Sequence, residues 1–116
     1  MPTGRVFHSA EHFQPSAGEP IRSVMTESPD AVVVAWHVQP GQTIAAHRHP
    51  QGQDTWTILS GRGQYQVDSE GHTESIREGD VVVATTGQVH GVHNDSDEPL
   101  VFISVVAPAD AGYHPL

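Results

Sequence analysis

Short apolar or alternating stretches recur along most of this chain, roughly every ten residues. Turn-forming residues separate them, among them Pro40-Gly41, Ser60-Gly61 and Glu78-Gly79. Such spacing is typical of an all-β sandwich or barrel, and no segment convincingly shows the three- and four-residue periodicity of a helix. The pattern predicts nine strands, at residues 21–27, 31–38, 43–49, 54–59, 63–68, 72–77, 80–84, 89–94 and 100–107.

Two of these stretches, residues 31–38 and 100–106, are largely apolar on both faces. A strand that is apolar on both faces is usually buried on both, so something covers its outer side. In a barrel this small, we expect a second copy of the chain to cover the outer face of these strands, and therefore a homodimer.

The length of 116 residues suits one domain. We expect residues 1–30 to form an N-terminal arm with the first strand or strands, residues 31–107 the barrel core, and residues 108–116 a C-terminal tail. Phe7 and Phe13 in the arm are expected to pack on the barrel or on a partner subunit.

Composition excludes several kinds of function. Fourteen acidic residues against five arginines give a net charge of −9, which disfavours a nucleic-acid partner. The chain has no lysine, which excludes Schiff-base catalysis. The absence of cysteine excludes disulfides and thiolate metal sites. There is no apolar run of eighteen residues and no secretory-type N-terminus, so we expect no membrane span and a cytoplasmic protein.

Histidine is unusually frequent, with nine residues, and imidazole is the commonest ligand for transition metals. In the segment His47-Arg48-His49 the two imidazoles share one face of a strand, because side chains alternate along a strand. Taken alone, this pair is weak evidence for a metal site. Asp54, at the start of the next predicted strand, suits a core position only if it is paired or coordinated.

Two longer motifs extend this pattern. In the first, Gly41 is followed after five residues by His47 and His49, then after four residues by Asp54, and after six more by Gly61.

In the second, Gly79 is followed after five residues by Thr85-Thr86-Gly87, then after two residues by His90, and after three more by Asn94. The residues alone do not show that His90 folds back beside the first motif.

The two motifs resemble those of the cupin superfamily, in its small single-domain, metal-binding form, and the resemblance spans residues 31–107. It implies a cupin (double-stranded β-helix, or jelly-roll) barrel. It also implies one divalent transition metal, held by the residues that match the ligands of the family: His47, His49, Asp54 and His90.

The fourth ligand departs from the family pattern, because Asp54 stands where the family has glutamate. Asp54 is preferred, but Gln53 would take its place if a bulge exchanged the two side chains, and a site of three histidines is a third alternative. A carboxylate would stabilise higher oxidation states of the metal, whereas an amide would leave a more cationic Lewis acid.

Other candidate residues have plainer interpretations. His93 is expected to be structural or on the surface, and His37 is expected to be a hydrogen-bonded histidine of the interior or of an interface. Trp56 fits the pocket wall and the ordinary core equally well.

Three imidazoles and one oxygen ligand suit Fe, Mn, Ni, Co, Cu or Zn better than Ca or Mg. By resemblance, cupins include dioxygenases, isomerases, lyases, decarboxylases and binding proteins. The leading hypothesis is a metal-dependent, dioxygenase-type enzyme for a small oxygen-rich or unsaturated organic molecule bound in the barrel, with no catalytic residue assigned. The alternatives are an isomerase or lyase of a sugar-derived acid, and a non-catalytic binding protein.

Overall fold

A computed structural model describes residues 4–116, which form ten strands and one short 3-10 helix, Ser9–Glu11. No helix among these residues is long and apolar enough to cross a membrane. Each of the nine predicted stretches overlaps one strand, and β10 has no predicted counterpart. The strands are β1 Ser23–Glu27, β2 Val32–Val38, β3 Thr43–Arg48, β4 Gln53–Ser60, β5 Arg62–Gln66, β6 Thr73–Arg77, β7 Val81–Ala84, β8 His90–His93, β9 Leu100–Ala107 and β10 His114–Pro115.

The strands are arranged in two five-stranded sheets whose pairs are all antiparallel. Sheet A has the order β1-β2-β9-β4-β7, and sheet B has the order β10-β3-β8-β5-β6. The predicted all-β fold is confirmed. The described strands form two facing sheets rather than one closed barrel, because no strand of one sheet is hydrogen-bonded to a strand of the other.

The core fills one end of the space between the sheets. Trp56 stacks on Phe102 with ring centroids 4.3 Å apart, and Tyr65 meets Trp56 edge-on at 5.2 Å. Alternate residues of β9 are buried, from Leu100 to Val106, as one inward face requires. The cluster at this end comprises Val38, Trp56, Ile58, Tyr65, Ile76, Val92, Leu100 and Phe102.

The N-terminal arm is held to the sheets by polar contacts. The side chain of Gln14 donates to the Ser23 hydroxyl, and that of Gln42 donates to the Ser16 carbonyl. Phe7 and Phe13 are half-buried. Residues 1–3 of the predicted arm lie outside the described part of the chain, and the division into arm, core and tail stays a prediction.

The turn from β4 to β5 requires glycine at position 61. Gly61 has φ +84°, and a β-carbon there would lie 2.1 Å from the Pro99 carbonyl oxygen. Gly79 has a similar φ of +92° with no atom within 4 Å of the β-carbon position. The two glycines therefore share a backbone requirement and differ in the space around them.

We expect Gly61→Ala to destabilise the protein more than Gly79→Ala. The positive φ alone should cost each variant about 1–2 kcal/mol in free energy of unfolding. The additional backbone clash should bring the loss at Gly61 to about 3 kcal/mol or more. Urea unfolding of both variants measures the difference, and equal losses would contradict the close approach of Pro99.

Candidate metal centre

A bulge in β3 sets the direction of the first two histidines. The ladder between β3 and β8 places Ile44 opposite Val92 but His47 opposite His90, so β3 contains one extra residue between the pairs. Without the bulge, the residues sharing a face with Ile44 would be the even-numbered ones. The bulge turns His47 inward instead, toward the space between the sheets.

The three histidines therefore converge from neighbouring strands of sheet B. His47 and His90 have ring centroids 4.2 Å apart, and His49 lies 5.1–5.2 Å from both. All three are buried, and His90 is only 1% exposed. The residues alone do not show that His90 lies beside His47 and His49, and the structure places it there.

Each imidazole is oriented through its Nδ1 atom by a backbone carbonyl. Nδ1 of His47 lies 2.8 Å from the Ala45 oxygen, and Nδ1 of His90 lies 3.1 Å from the Gln88 oxygen. Nδ1 of His49 lies 2.6 Å from the Gly112 oxygen. A carbonyl only accepts, so each Nδ1 carries the proton and each neutral imidazole has its lone pair on Nε2.

Asp54 faces this group from sheet A. The Ser104 hydroxyl donates to its Oδ1 atom at 2.6 Å, which fixes the carboxylate. Its Oδ2 atom lies 3.1 Å from Nε2 of His90 and 3.5 Å from Nε2 of His49. One carboxylate oxygen is thus held by the protein, and the other is directed at the histidines.

The donor atoms fit a metal ion. One ligand atom from each of His47, His49, Asp54 and His90 lies within 4.8 Å of the other three. Because each Nδ1 proton is donated to a backbone carbonyl, the Nε2 lone pairs of His49 and His90 face the Asp54 carboxylate. Lone pairs and a negative charge repel one another unless a cation lies between them. Buried Nε2 of His49 has no hydrogen-bond partner. The cluster therefore requires either protons or a metal ion at its centre.

The protonation states of Asp54 and His47 also suit metal binding. Burial would raise the pKa of the Asp54 carboxyl, but its contacts with His49, His90 and Ser104 outweigh burial and hold that pKa well below its usual range. Burial lowers the pKa of His47 to about 4, whereas the Asp54 carboxylate 3.5 Å away raises that of His49. At neutral pH, Asp54 is therefore anionic and His47 neutral, the forms in which each binds a metal.

A cavity of ≈ 690 Å³ opens onto the cluster, and Trp56 of the aromatic core forms part of its wall. This volume suits one small organic molecule. Apart from the metal-ligand candidates and Ser104, its buried wall is apolar, and the exposed residues at its mouth are mainly polar. The buried lining comprises Val32, Val34, His47, His49, Asp54, Trp56, Ser104 and Val106; the exposed lining comprises Glu19, Arg22, Thr43, Ala45, Asp110, Gly112 and Tyr113.

The tail supplies site residues that the sequence analysis missed. Strand β10 pairs with β3, the strand that carries His47. The ring of Tyr113 lies over that of His47 with centroids 5.1 Å apart, and Gly112 supplies the carbonyl for His49. Tyr113 could have been considered from the sequence as a polar aromatic residue near a site. The role of the Gly112 carbonyl could not, because every residue type has a backbone carbonyl.

The other candidate residues lie outside the cluster or on its edge. Gln53 is exposed and donates to the Thr55 hydroxyl, so no bulge exchanges it with Asp54. His93 is exposed beside Thr43, and His37 is half-buried, with its Nδ1 atom buried and unpaired. Trp56 belongs both to the core and to the cavity wall.

Comparisons with known proteins agree with this architecture. The family model described as Cupin domain matches residues 34–106. A conserved protein with a double-stranded β-helix domain from Klebsiella pneumoniae subsp. pneumoniae MGH 78578 is 50% identical, and the match covers 97% of this chain and 96% of that chain, with a TM-score of 0.93. The predicted double-stranded β-helix fold is confirmed.

More distant relatives cover part of longer proteins. An oxalate decarboxylase structure is 23% identical, with a TM-score of 0.74, over 92% of this chain and 31% of that chain, which shows the fold alone. Germin-like protein 5-1 of Oryza sativa subsp. japonica is 29% identical over 80 residues, 65% of this chain and 35% of that protein. This chain thus spans about a third of the length of that curated relative.

We expect Asp54→Ala to weaken metal binding more than tenfold, or about 1.4 kcal/mol. Gln53→Ala, which changes the neighbouring exposed side chain, should change affinity less than twofold. Competition with a chelator of known affinity measures both values. Equal, small effects would indicate a site of three histidines, and a larger effect at Gln53 would contradict the placement of both side chains.

Proposed function

This chain belongs to the cupin family, and on that premise we propose that it is a metal-dependent enzyme for a small oxygen-rich or unsaturated organic molecule, most consistent with a dioxygenase. The main support is a group of three histidines and one carboxylate whose donor atoms lie within 4.8 Å of one another, beside a small cavity lined by His47, His49 and Asp54. His47, His49, Asp54 and His90 would hold one divalent transition metal there. Such an ion, when bound, supplies Lewis-acid and redox chemistry.

The protein residues beside the cluster favour an oxygenase over acid–base chemistry. Ser104 is the one other polar residue of the buried cavity lining, and its hydroxyl is used in donating to Asp54. The remaining buried wall, including Val32, Val34 and Val106, excludes water and supplies no general acid or base. Reaction of a bound organic molecule at this wall would therefore depend on the metal, as the proposed oxygenase requires.

A second candidate, an isomerase or lyase of a sugar-derived acid, is supported by the mouth of the cavity. Glu19, Asp110 and Tyr113 are exposed there, and each has a group that can exchange a proton. Arg22 would attract an acid group. The name of the oxalate decarboxylase relative indicates chemistry on a small, oxygen-rich acid in that protein.

Measuring dioxygen uptake and product formation separates these functions. The protein would be reconstituted in turn with Fe, Mn, Ni, Co, Cu and Zn, and offered enols, diketones and sugar-derived acids with and without dioxygen. An oxygenase should consume dioxygen in a fixed ratio to product with one of these metals. The control is the double variant His47→Ala, His49→Ala, which should bind no metal and show no turnover.

Other outcomes have distinct meanings. Product formed equally without dioxygen would contradict the oxygenase and support the isomerase or lyase. Binding without turnover under either condition would indicate a non-catalytic binding protein. Metal retained at wild-type affinity in the double variant would contradict the site itself.

We also propose a homodimer through the outer face of sheet A. Two rows of paired residues cross this face, Val83-Thr55-Val105-Val33 and Val81-Thr57-Ile103-Ala35, and neither row contains a charge. Ala35 at the end of the second row is already buried within the chain. At the β7 edge, Val81 is 59% exposed and Val83 is 45% exposed. A second copy placed on this uncharged face would bury both valines, as a self-complementary interface requires.

We expect the wild-type chain to show twice the mass of one chain in light scattering at micromolar concentration. The double variant Val81→Glu, Val83→Glu should shift the population to monomer, because burying two carboxylates in an apolar interface is costly. Val67→Glu, at another exposed valine that precedes β6 of sheet B, is the matched control and should remain dimeric. A monomeric wild-type chain would contradict the proposal.

A further inference from the structure

We propose that residues 108–116 are a positioning element of the metal centre, acting through the Gly112 carbonyl on the ligand His49. The inference rests on the proposed metal site. It concerns a backbone contact of 2.6 Å between residues 63 positions apart in the chain.

The tail is held in place by contacts both before and after Gly112. Ala111 is buried against Val32, Val34 and Val106, and its carbonyl accepts from the backbone N–H of Gln51. Beyond the contact, β10 pairs with β3, with His114 opposite Arg48. The Gly112 carbonyl is therefore held on both sides by contacts that do not involve the metal ligands' side chains.

This carbonyl decides what His49 can do. By accepting the Nδ1 proton it leaves the lone pair on Nε2, and it sets the rotation of a ring that β3 does not itself hold, because the strand ends at Arg48. His47 and His90 receive the same support from Ala45 and Gln88, each two residues away on the chain. His49 alone among the three depends on a remote segment.

Glycine at position 112 gives a way to move the carbonyl. Gly112 has φ +82°, and a β-carbon there would lie 2.7 Å from Cγ of Pro50 and 3.0 Å from its Cδ. Gly79 has φ +92° with no atom within 4 Å of its β-carbon position. Gly112→Ala should thus displace the tail from Pro50, whereas Gly79→Ala imposes the same backbone strain elsewhere.

The experiment uses Co²⁺ alone as the probe, with two readouts: affinity by chelator competition and the visible absorption spectrum of the bound ion. Gly112→Ala should lower Co²⁺ affinity about 10–100-fold, the usual effect of losing a partner that orients a ligand. Its spectrum should change because the His49 ring is rotated. Gly79→Ala should match the wild-type protein in both readouts.

Two further variants separate positioning from general stability. Adding Pro50→Ala to Gly112→Ala removes the clashing ring and should restore most of the lost affinity, with Pro50→Ala alone as its reference. Replacing the Gly112–Tyr113 amide by an ester weakens this carbonyl as an acceptor without any clash, and should also lower affinity. An ester at the Ala111–Gly112 bond weakens the Gln51 contact instead and should not.

The failures of the inference and of the metal site can be told apart. If wild-type protein bound no Co²⁺, the metal site would be wrong and the inference with it. If wild-type protein bound Co²⁺ and both Gly112→Ala and the Gly112–Tyr113 ester bound it equally well with unchanged spectra, only the inference would be overturned. The tail would then serve to cover the edge of sheet B.

Discussion

The candidate site depends on one carboxylate that faces three imidazoles across the gap between two sheets. Asp54 projects from sheet A, where Ser104 fixes one of its oxygens. His47 and His90 project from β3 and β8 of sheet B, and His49 directly follows β3. Their Nε2 lone pairs and the second oxygen of Asp54 all point at the same small volume, and only a cation makes that arrangement favourable. A bound metal ion would therefore also connect the two sheets.

The two ends of the space between the sheets have different roles. At one end, Trp56, Phe102 and Tyr65 pack into a closed aromatic core. At the other end, small aliphatic residues such as Val34 and Val106 leave room for the cavity. Trp56 belongs to both regions, so the wall behind the metal centre is part of the aromatic core. The ligands are supported from behind by rigid packing and are open to a small molecule in front.

Much of this arrangement is predictable from the sequence, because it follows from side-chain types at fixed spacing. Alternation places His47 and His49 on one face, and the turn residues delimit the nine strands. The position of His90 beside them comes from the family resemblance rather than from the residues alone. The β3 bulge was not predicted, because Ile44 and His47 carry no local sign of an extra residue. The support of His49 was not predicted either, because any residue type can supply a carbonyl.

The long separation between His49 and Gly112 has a consequence for biosynthesis. During translation, His47, His49 and Asp54 are added to the chain long before Gly112, in the case of His49 by 63 residues. A nascent chain can thus present imidazoles to cellular metal while the carbonyl that fixes the His49 tautomer does not yet exist. Early capture would use a looser set of ligands, and the final coordination geometry would be reached only when the tail docks against β3.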